Sequence, residues 1–497
     1  MANRAEDINY EAVVVGSGPS GIAASIALIN QGIKPLIIDV GILPEKDAFE
    51  LQIKSRKNES MHLSRKVLIA DNPAEKTWFL SSSPYRQDHR SSLIFEDFIV
   101  ARPSFGLGGM SRVWGATFDI YDDFDGWPKD CIPSREDIDI VKSLVPHSTT
   151  TFSNLPDQGY INGHMASKKL FDSLIGLKEF DQRVSTLAIN TVSNSLNSCK
   201  SCSECLTGCP YDSIWSSSDQ LKILIRNNKV EYMPDSYVDR ISETNSGVEI
   251  SIIGSSNVVQ SLITKRLFLA AGPISTAHIL IKSNIVQKLT FKDTATIFTG
   301  IFAPFSRNTG EIKSHSLSQF WITTKTKNKF MAQIYPPSRE HAERVISALP
   351  LKRILQLPVK LLISKVHPVI AYMNTDNSDE LIIERNNEII SIRAESSIAN
   401  KAEARRQLKK LSRPLLTRFS YLAVRLAKIS SPGTGYHFGS SLAHGVLTDS
   451  FGRPSGLDRV HVVDASVLPN ILPGSITPTM MANAARIIRS FYESFPQ

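Results

Sequence analysis

The stretch YEAVVVGSGPSGIAASIALINQGIKPLIID, residues 10–39, decides the fold of this 497-residue chain. A short strand-like run over 10–15, apolar from Ala12 onward, leads directly into the turn GSGPSG at 16–21. Residues 22–31 are mostly apolar and contain no glycine or proline, which predicts a helix, and a second apolar run then ends at Asp39. The order of these pieces predicts a β-strand, a tight turn, a helix and a parallel β-strand.

The spacing of the glycines gives each of them a different role in binding a dinucleotide. Gly16 permits the tight turn, Gly18 lets a pyrophosphate approach the backbone, and Gly21 lets the helix pack against the strand. The start of the helix supplies N–H donors to phosphate. Asp39, which lies 23 residues after Gly16, can accept hydrogen bonds from a ribose hydroxyl. The stretch therefore predicts a dinucleotide-binding unit of Rossmann type.

The composition is that of an ordinary globular protein. Hydrophobic residues make up 42% of the chain and charged residues 21%, which excludes wholesale disorder, and the length suggests two or three domains. No apolar run approaches ~18 residues, so no transmembrane helix is expected, and the first residues show no secretory signal. The net charge of +8 is mild for this length and does not argue for nucleic acid. These features favour a cytoplasmic location.

Four of the five cysteines fall within eleven residues, which indicates metal or redox chemistry. Their spacing is C-x2-C-x2-C-x3-C-P, the run by which bacterial ferredoxins hold iron–sulfur clusters. The sequence therefore predicts an iron–sulfur cluster, of 4Fe-4S or 3Fe-4S type, in the loop 199–210. Its predicted ligands are Cys199, Cys202, Cys205 and Cys209.

Several alternatives stay open for this loop. In two-cluster ferredoxins the fourth cysteine of such a run serves the other cluster, and this chain has no second run. The site could therefore use Cys209 itself, recruit Cys131, or hold three irons on three thiolates. Zinc, free thiols and two disulfides are the remaining interpretations. The missing secretory signal argues against the disulfides.

The middle of the chain changes in character. Strand-like segments over 230–234, 247–253 and 267–272 follow a predicted helix near residue 219, and the last of them ends in a glycine turn. Residues 286–430 alternate short β-like runs with basic helical stretches. They are expected to form a second, substrate-facing domain.

Segment 401–428 is strongly basic. It contains nine lysines and arginines against one acid, Glu403. A solvated helix face accounts for such a pattern. Attraction to phosphate also accounts for it, either on a nucleotide-linked substrate or on an anionic membrane surface. Peripheral contact with the inner membrane surface is therefore an open alternative.

These pieces resemble the glucose–methanol–choline (GMC) superfamily of FAD-dependent oxidoreductases. The glycine turn and its acid match the ADP-binding turn of that family. A glycine-rich block at 108–115 matches its second FAD-contacting block, and the strand turn at 269–276 matches the next one. The resemblance implies FAD contacts at Gly16, Gly18, Gly21, Asp39, Gly108, Gly109, Ser111, Gly272, Asp464, Thr477 and Pro478.

The C-terminal block carries the most specific part of the resemblance. Residues 460–469 and 477–486 follow the family pattern in order. The family's catalytic histidine matches His437, and His444 is a rival seven residues further on. The family's second catalytic residue, a histidine or asparagine, is Thr477 here. Threonine cannot act as a base at neutral pH, but it can hydrogen-bond a substrate oxygen.

The resemblance implies an FAD-dependent alcohol dehydrogenase acting on CH–OH groups. His437 takes the hydroxyl proton, the carbon passes a hydride to flavin, and the electrons leave through the cluster to an external carrier. The cysteine-rich loop resembles that of sugar and polyol dehydrogenases, so the implied substrate is a sugar-like or polyol alcohol, with phosphate-bearing and lipid-linked forms open. The alternatives are a cluster-fed reductase acting on a ketone or double bond, an oxygen-using alcohol oxidase without a cluster, and a non-catalytic flavoprotein scaffold.

The resemblance also implies a discontinuous domain organisation. The Rossmann-like FAD-binding domain is expected to comprise residues 1–130, 219–285 and 431–497. Residues 131–218 form a connecting segment with the cysteine-rich loop, and residues 286–430 form a substrate-binding domain with an antiparallel sheet and helices. The expected fold class is α/β, with α+β character overall.

Overall fold

The computed structural model describes residues 9–46, 50, 52–53, 88–96, 99, 101–120, 124, 126–153, 158–206, 208–305, 314–325, 330–337, 362, 364–375, 378–435 and 437–495. The helices of this part of the chain are α1 Pro19–Asn30, α2 Arg135–Leu144, α3 Met165–Ser173, α4 Ser217–Arg226, α5 Pro273–Lys282, α6 Ile398–Thr417 and α7 Ile476–Ser494. Its strands are β1 Asn9–Val15, β2 Leu36–Ile38, β3 Leu93–Phe95, β4 Ser148–Thr151, β5 Tyr160–Asn162, β6 Phe180–Val184, β7 Thr186–Leu187, β8 Glu231–Met233, β9 Tyr237–Glu243, β10 Val248–Ile253, β11 Val259–Leu269, β12 Lys288–Asp293, β13 Thr296–Phe302, β14 Phe320–Thr324, β15 Phe330–Ile334, β16 Val366–Met373, β17 Asp379–Asn386, β18 Ile389–Glu395, β19 Tyr421–Leu422, β20 Lys428–Ile429, β21 Phe438–Gly439 and β22 Val460–Val462.

A seven-stranded sheet contains the two strands of the glycine motif. Its order is β8-β2-β1-β11-β10-β9, with β22 paired to β11. Strand β1 pairs in parallel with both β2 and β11. Val13, Val14 and Val15 of β1 are all buried, as expected for a parallel strand that is covered on both faces. This arrangement confirms the predicted Rossmann-type unit.

Helix α1 begins at Pro19, three residues before the predicted start. Proline is favoured in the first helical turn because its φ is already helical and its missing N–H is not needed there. The helix ends at Asn30, and Gly32 follows with a φ of +79°. The strand predicted before Asp39 is shorter than expected and spans only Leu36–Ile38.

A second seven-stranded sheet is antiparallel throughout. Its order is β19-β13-β16-β15-β14-β6, with β20 paired to β13. Buried residues alternate along β16, and Val369 and Ala371 pack in one cluster with Leu408 and Leu411 of α6. One face of this sheet is therefore covered by α6. The expected antiparallel sheet with helices is confirmed.

A five-stranded sheet of order β21-β12-β17-β18-β3 joins parts of the two expected domains. Strands β3 and β21 come from the expected FAD-binding segments, whereas β12, β17 and β18 come from residues 286–430. A three-stranded sheet, β5-β4-β7, lies in the connecting segment. The domain borders themselves stay a prediction.

The two longest helices of the described residues are α6 and α7, with 20 and 19 residues. Helix α7 packs against α1 of the Rossmann-type unit. Neither of them, nor any other helix in the described ranges, combines the length and apolar character that crossing a membrane requires.

Candidate functional site

The glycine turn stands at the carboxyl end of β1, directly before α1. Gly16 has a φ of +103°, which favours glycine, and its N–H donates to the Ile38 carbonyl over 2.8 Å. A Cβ at Gly21 would overlap the Gly16 carbonyl oxygen, so the helix and the turn are in backbone contact. A Cβ at Gly18 would meet no atom within 4 Å. The turn therefore leaves open space at the start of α1, where N–H groups can bind a phosphate.

Asp39 lies at the end of β2, as its spacing predicts, and Ser17 joins it to the rest of the site. The Ser17 hydroxyl donates to Asp39 Oδ2 and accepts the Gly108 N–H over 2.9 Å. Burial raises the pKa of Asp39 to about 6, although hydrogen bonds, first that of Ser17, act in the opposite direction. Asp39 is thus an acceptor held at the mouth of the turn, where a ribose hydroxyl is expected.

The second glycine-rich block packs directly against the turn. A Cβ at Gly109 would lie 3.5 Å from the Cα of Gly18. The Ser111 hydroxyl donates to the Gly108 carbonyl over 2.6 Å and lies 2.9 Å from the Ser217 hydroxyl at the start of α4. The contact with Ser217 was not predicted, because serine is common at helix starts and signals nothing about its distant neighbours.

Gly272 and Asp464 meet at the same edge of the sheet. Gly272 follows β11 and Asp464 follows β22, and these two strands are parallel neighbours. The Thr276 hydroxyl donates to Asp464 Oδ2 over 2.5 Å, and a backbone N–H two residues along the chain donates to Oδ1 over 2.9 Å. Burial raises the pKa of Asp464, and these hydrogen bonds offset part of the rise. The backbone just before Gly272 also lies against Gly16.

Four separated parts of the chain therefore form one cradle at the carboxyl ends of the parallel strands. They are the turn 16–21, the block 108–111, Gly272 and Asp464. A Cβ at Gly272, like one at Gly18, would meet no atom within 4 Å. Open backbone flanked by buried carboxyl groups fits a dinucleotide, whose phosphates need N–H donors and whose ribose needs acceptors.

His437 stands directly before β21, and its carbonyl accepts the Thr294 N–H over 2.9 Å. Its ring stacks on Tyr372, with ring centroids 4.8 Å apart and planes inclined by 23°. The ring atom Nδ1 is buried and has no hydrogen-bond partner among the described residues. Burial lowers the pKa of His437 to about 4. The imidazole is therefore neutral at pH 7 and has a free nitrogen that can accept a proton.

His444, the rival candidate, is engaged at both ring nitrogens. Its Nδ1 lies 2.7 Å from the Asp449 carbonyl oxygen, to which it can only donate. Its Nε2 lies 3.1 Å from Arg486 Nη2 and 3.3 Å from Asn483 Nδ2, which both donate to it. Burial lowers the pKa of His444 to about 4. These bonds hold His444 in a structural role. Of the two candidates, His437 is the one with a ring nitrogen that has no partner among the described residues.

Thr477 and Pro478 lie in the first turn of α7, and Thr477 is partly exposed. The residue before them packs in a small cluster with side chains of segment 465–471. Gly439 approaches the backbone and side chains of the same segment. The turn that follows His437 and the residue that precedes Thr477 thus contact the same segment.

Two residues around His437 were not identified from the sequence. Tyr372 belongs to a predicted strand, but a strand pattern does not say which side chain meets a histidine. Asp293 ends β12 and accepts the Gly433 N–H over 2.8 Å, so it holds the loop that carries His437. Burial, and then the charge of Asp379, raise the pKa of Asp293 to about 7.

The raised pKa of Asp293 predicts a pH-dependent stability. The carboxyl binds its proton more tightly in the folded state, so its contribution is full below its ordinary pKa of 3.8 and is lost as the pH rises through about 7. We expect Asp293→Asn to be more stable than the wild type at pH 8, by up to about 4 kcal/mol, and similar to it at pH 4. Urea unfolding at both pH values measures this.

Asp458→Asn is the matched control, since the side chain of Asp458 is 89% exposed. It should change stability little at either pH. An Asp293→Asn variant with the same pH dependence as the wild type would contradict the raised pKa.

Each of the four clustered cysteines accepts a backbone N–H at its sulfur. The N···S distances are 3.4 Å at Cys199 and 3.3 Å at Cys209. Hydrogen bonds of this kind stabilise negative charge on sulfur and are typical of thiolate ligands. The donors are Ser201 for Cys199, Glu204 for Cys202, Ser316 for Cys205 and Ser213 for Cys209.

The positions of the thiols support a metal site less well than their hydrogen bonds do. Across the described ranges, no three or more His, Cys, Asp or Glu side chains form a group that could hold a metal ion. Burial, and then charge on Cys209, raise the pKa of Cys205. Thr207, within the loop, lies outside the described residues. The donor chemistry fits a cluster, and the ligand set stays a prediction.

Cys131 lies in different surroundings from the loop. It ends a short 3-10 helix and is buried. The charged residues that affect the pKa of its thiol are Arg486, Asp130 and Asp449. These neighbours belong to the C-terminal part of the chain and to its own helix.

The cysteine-rich loop and the second glycine-rich block share a cleft. Residues 111–114 line one side of it, and the loop contributes Cys205 and Cys209 to the other. Beside the cleft, Trp114 Nε1 donates to the Trp215 carbonyl over 3.0 Å, and the two rings meet edge to face at 6.0 Å. The loop is therefore a direct neighbour of the block that is expected to contact FAD.

Fold and cradle together define a protein with a Rossmann-like dinucleotide-binding unit and a second, antiparallel sheet. Residues 368–484, which include His437, Asp464 and Thr477, match the family model described as GMC oxidoreductase. The fold is similar to the crystal structure of pyridoxine 4-oxidase from Mesorbium loti, with a TM-score of 0.58 and 12% sequence identity over 98% of this chain and 99% of that chain. A search of curated proteins finds no match. At this identity the structural similarity concerns the fold alone.

Proposed function

We propose that this protein is an FAD-dependent oxidoreductase that oxidises a hydroxyl group of a small alcohol to a carbonyl. The observation that carries the proposal is the position of His437. Its imidazole, which is neutral at pH 7, lies in the segment 368–484 that matches the GMC oxidoreductase model. The same segment contributes Asp464 to the dinucleotide cradle, so one C-terminal block supplies both a base and a cofactor contact.

The residues of the cradle would hold the cofactor. The turn 16–21 and the block 108–111 suit its phosphates, Asp39 suits a ribose hydroxyl, and Asp464 suits the ribityl side. FAD, when bound, supplies the hydride acceptor for the carbinol carbon. The open space at Gly18 and the buried carboxyl oxygens are the observations that support this fit.

His437 would take the hydroxyl proton at its imidazole ring while the substrate carbon loses its hydride. A neutral imidazole suits this step, because a base must be unprotonated before it acts. Stacking on Tyr372 orients the ring, and Asp293 holds the loop behind it. Thr477 and the N–H groups of the first turn of α7 would hydrogen-bond the substrate oxygen as negative charge develops on it.

A hydroxyl-rich substrate, sugar-like or polyol, is supported by the sheet face that carries Tyr372. Gln333 and Trp321 lie opposite each other on this face and are both buried. The Tyr335 hydroxyl donates to Gln333 Oε1 over 3.1 Å, and the Arg183 guanidinium lies 5.6 Å from the centre of the Trp321 ring. Polar donors among aromatic rings are suited to binding several hydroxyl groups.

The proposal includes an iron–sulfur cluster on the four loop cysteines. Such a cluster would pass electrons singly to an external carrier, which makes the protein a dehydrogenase. The backbone N–H groups at all four sulfurs and the shared cleft with residues 111–114 support it. A cluster with free thiolate ligands needs a reducing compartment, so the cytoplasmic location belongs to the same proposal.

Anaerobic purification tests the cluster. We expect flavin absorption together with about four irons and four acid-labile sulfides per chain; three irons would indicate the smaller cluster. Cys205→Ser should lower the iron content by more than half, because it removes one of the thiolate ligands. Cys131→Ser is the matched control and should keep the iron content of the wild type. Flavin without iron or sulfide, in protein made with ample iron, would exclude the cluster.

An oxygen-using alcohol oxidase is the second candidate. It is favoured because the described residues include no group that could hold a metal, and the similar structure is named as an oxidase. The two candidates differ in the acceptor that reoxidises the flavin. Oxygen consumption with the preferred alcohol, at the rate of flavin reduction, would identify the oxidase.

A further inference from the structure

Five large apolar side chains are exposed where α6 returns to the edge of the second sheet. We call them the edge patch: Phe305, Leu416, Phe419, Tyr421 and Leu426, exposed by 74%, 56%, 75%, 51% and 82%. They lie on adjoining elements. The rings of Phe305 and Phe419 meet edge to face at 6.1 Å, and Tyr421 pairs with Phe302, three residues before Phe305. Single exposed apolar residues are ordinary, but five on adjoining elements indicate an interaction surface.

Basic residues lie close to the edge patch along the chain. Between residues 413 and 428 the exposed cations are Arg413, Arg418, Arg425 and Lys428. None of these four forms an ion pair with a residue that the structure describes. By contrast, Arg406, further up α6, pairs with Glu403 at 2.7 Å. Segment 401–428 contains no other acid. This part of the chain therefore combines exposed apolar side chains with exposed cations.

We propose that the edge patch docks this protein on an anionic lipid bilayer. The aromatic and leucine side chains would enter the headgroup region, while the exposed cations contact lipid phosphates. A bilayer supplies both an apolar interior and a negative surface, which is the complement of this patch.

A second copy of the chain is a less suitable occupant of the edge patch. A symmetric contact between two copies places the same surface on both sides. The four cations of one copy would then face the four cations of the other, and this repulsion opposes the contact. Docking rests on the exposed surface and does not depend on the proposed reaction.

Vesicle sedimentation with the full-length, flavin-loaded protein tests the proposal. We expect binding to vesicles of phosphatidylcholine with phosphatidylserine at about 0.1 M salt, and release as the salt approaches about 1 M, where surface charges are screened. Binding to vesicles of phosphatidylcholine alone should be at least about tenfold weaker, since each cation contributes about fivefold at an anionic surface.

Two surface variants should each lower the partition coefficient by about a hundredfold or more. The apolar variant is Phe305→Ser with Phe419→Asn and Leu426→Ser. Asparagine is chosen at 419 because this position has a φ of +55°, which asparagine tolerates. The charge variant is Arg418→Glu with Arg425→Glu and Lys428→Glu.

Matched controls change equally exposed residues elsewhere. The apolar control is Leu196→Ser with Val258→Ser and Val259→Ser, where the native side chains are exposed by 101%, 61% and 63%. The charge control is Arg226→Glu with Lys229→Glu, both exposed positions at the end of α4. These controls should bind phosphatidylserine vesicles like the wild type.

Three results would overturn the proposal. The first is no binding to phosphatidylserine vesicles at low salt, and the second is equal binding by the patch variants and their controls. The third is self-association through the edge patch. Light scattering would then show a dimer for the wild type and a monomer for the apolar variant, and neither protein would bind vesicles.

Discussion

Replacing His437 by asparagine should lower kcat for alcohol oxidation by about 10²–10⁴-fold, the usual contribution of a general base. Asparagine preserves a polar side chain of similar reach, but it cannot take a proton from the substrate hydroxyl. Flavin content should stay near that of the wild type. The melting temperature should fall only slightly, because the stacking on Tyr372 is lost but Nδ1 has no hydrogen-bond partner to lose among the described residues. The measurement is single-turnover bleaching of the flavin with the polyol that the wild type oxidises fastest.

The pH dependence separates a base from a structural residue. Since burial lowers the pKa of His437 to about 4, the imidazole is unprotonated at neutral pH. We expect kcat/KM to be constant above about pH 6 and to fall as the pH drops toward 4, where the base is protonated. His89→Asn is the control, because the side chain of His89 is 68% exposed. Wild-type bleaching rates in the His437→Asn variant would rule out the proposed proton transfer.

The cradle could be predicted from the sequence because its parts are local. The turn 16–21 needs glycine for reasons that act within a few residues, and the following helix and strand have clear patterns. The links between the parts are not local. Ser17 connects Asp39 to Gly108, and Ser111 contacts Ser217, over long separations in the chain. Such contacts depend on the tertiary packing and carry no spacing signal.

The cysteine-rich loop and the edge patch show two other limits of sequence reasoning. The spacing of Cys199 to Cys209 identifies a ligand set, but the convergence of thiolates depends on the bound ion as well as on the chain. For the edge patch, Phe419 and Leu426 look in the sequence like core residues, because apolar character alone does not say which side of a sheet edge is covered. Only their exposure in the fold distinguishes them from the buried Leu408 and Leu411.

Gly18→Ala should weaken FAD binding strongly while leaving the fold intact. Gly18 has a φ of −65°, which alanine adopts readily, and its Cβ would meet no protein atom within 4 Å. The change in stability without FAD should therefore stay within about 0.5 kcal/mol. The added methyl group occupies the space where the pyrophosphate approaches the backbone. We expect the affinity for FAD to fall at least about 100-fold, or roughly 3 kcal/mol, in a fluorescence titration.

Gly21→Ala is the matched variant, and it should fail for a different reason. Its Cβ would overlap the Gly16 carbonyl oxygen, so α1 must move away from the turn. Because the obstacle is backbone, the fold itself should lose about 3 kcal/mol, and thermal melts without FAD should show this loss where Gly18→Ala shows none. If Gly18→Ala binds FAD as tightly as the wild type, the phosphate does not bind at this turn. A wild-type melting temperature in Gly21→Ala would mean that the helix does not need the close backbone contact that the glycine spacing predicts.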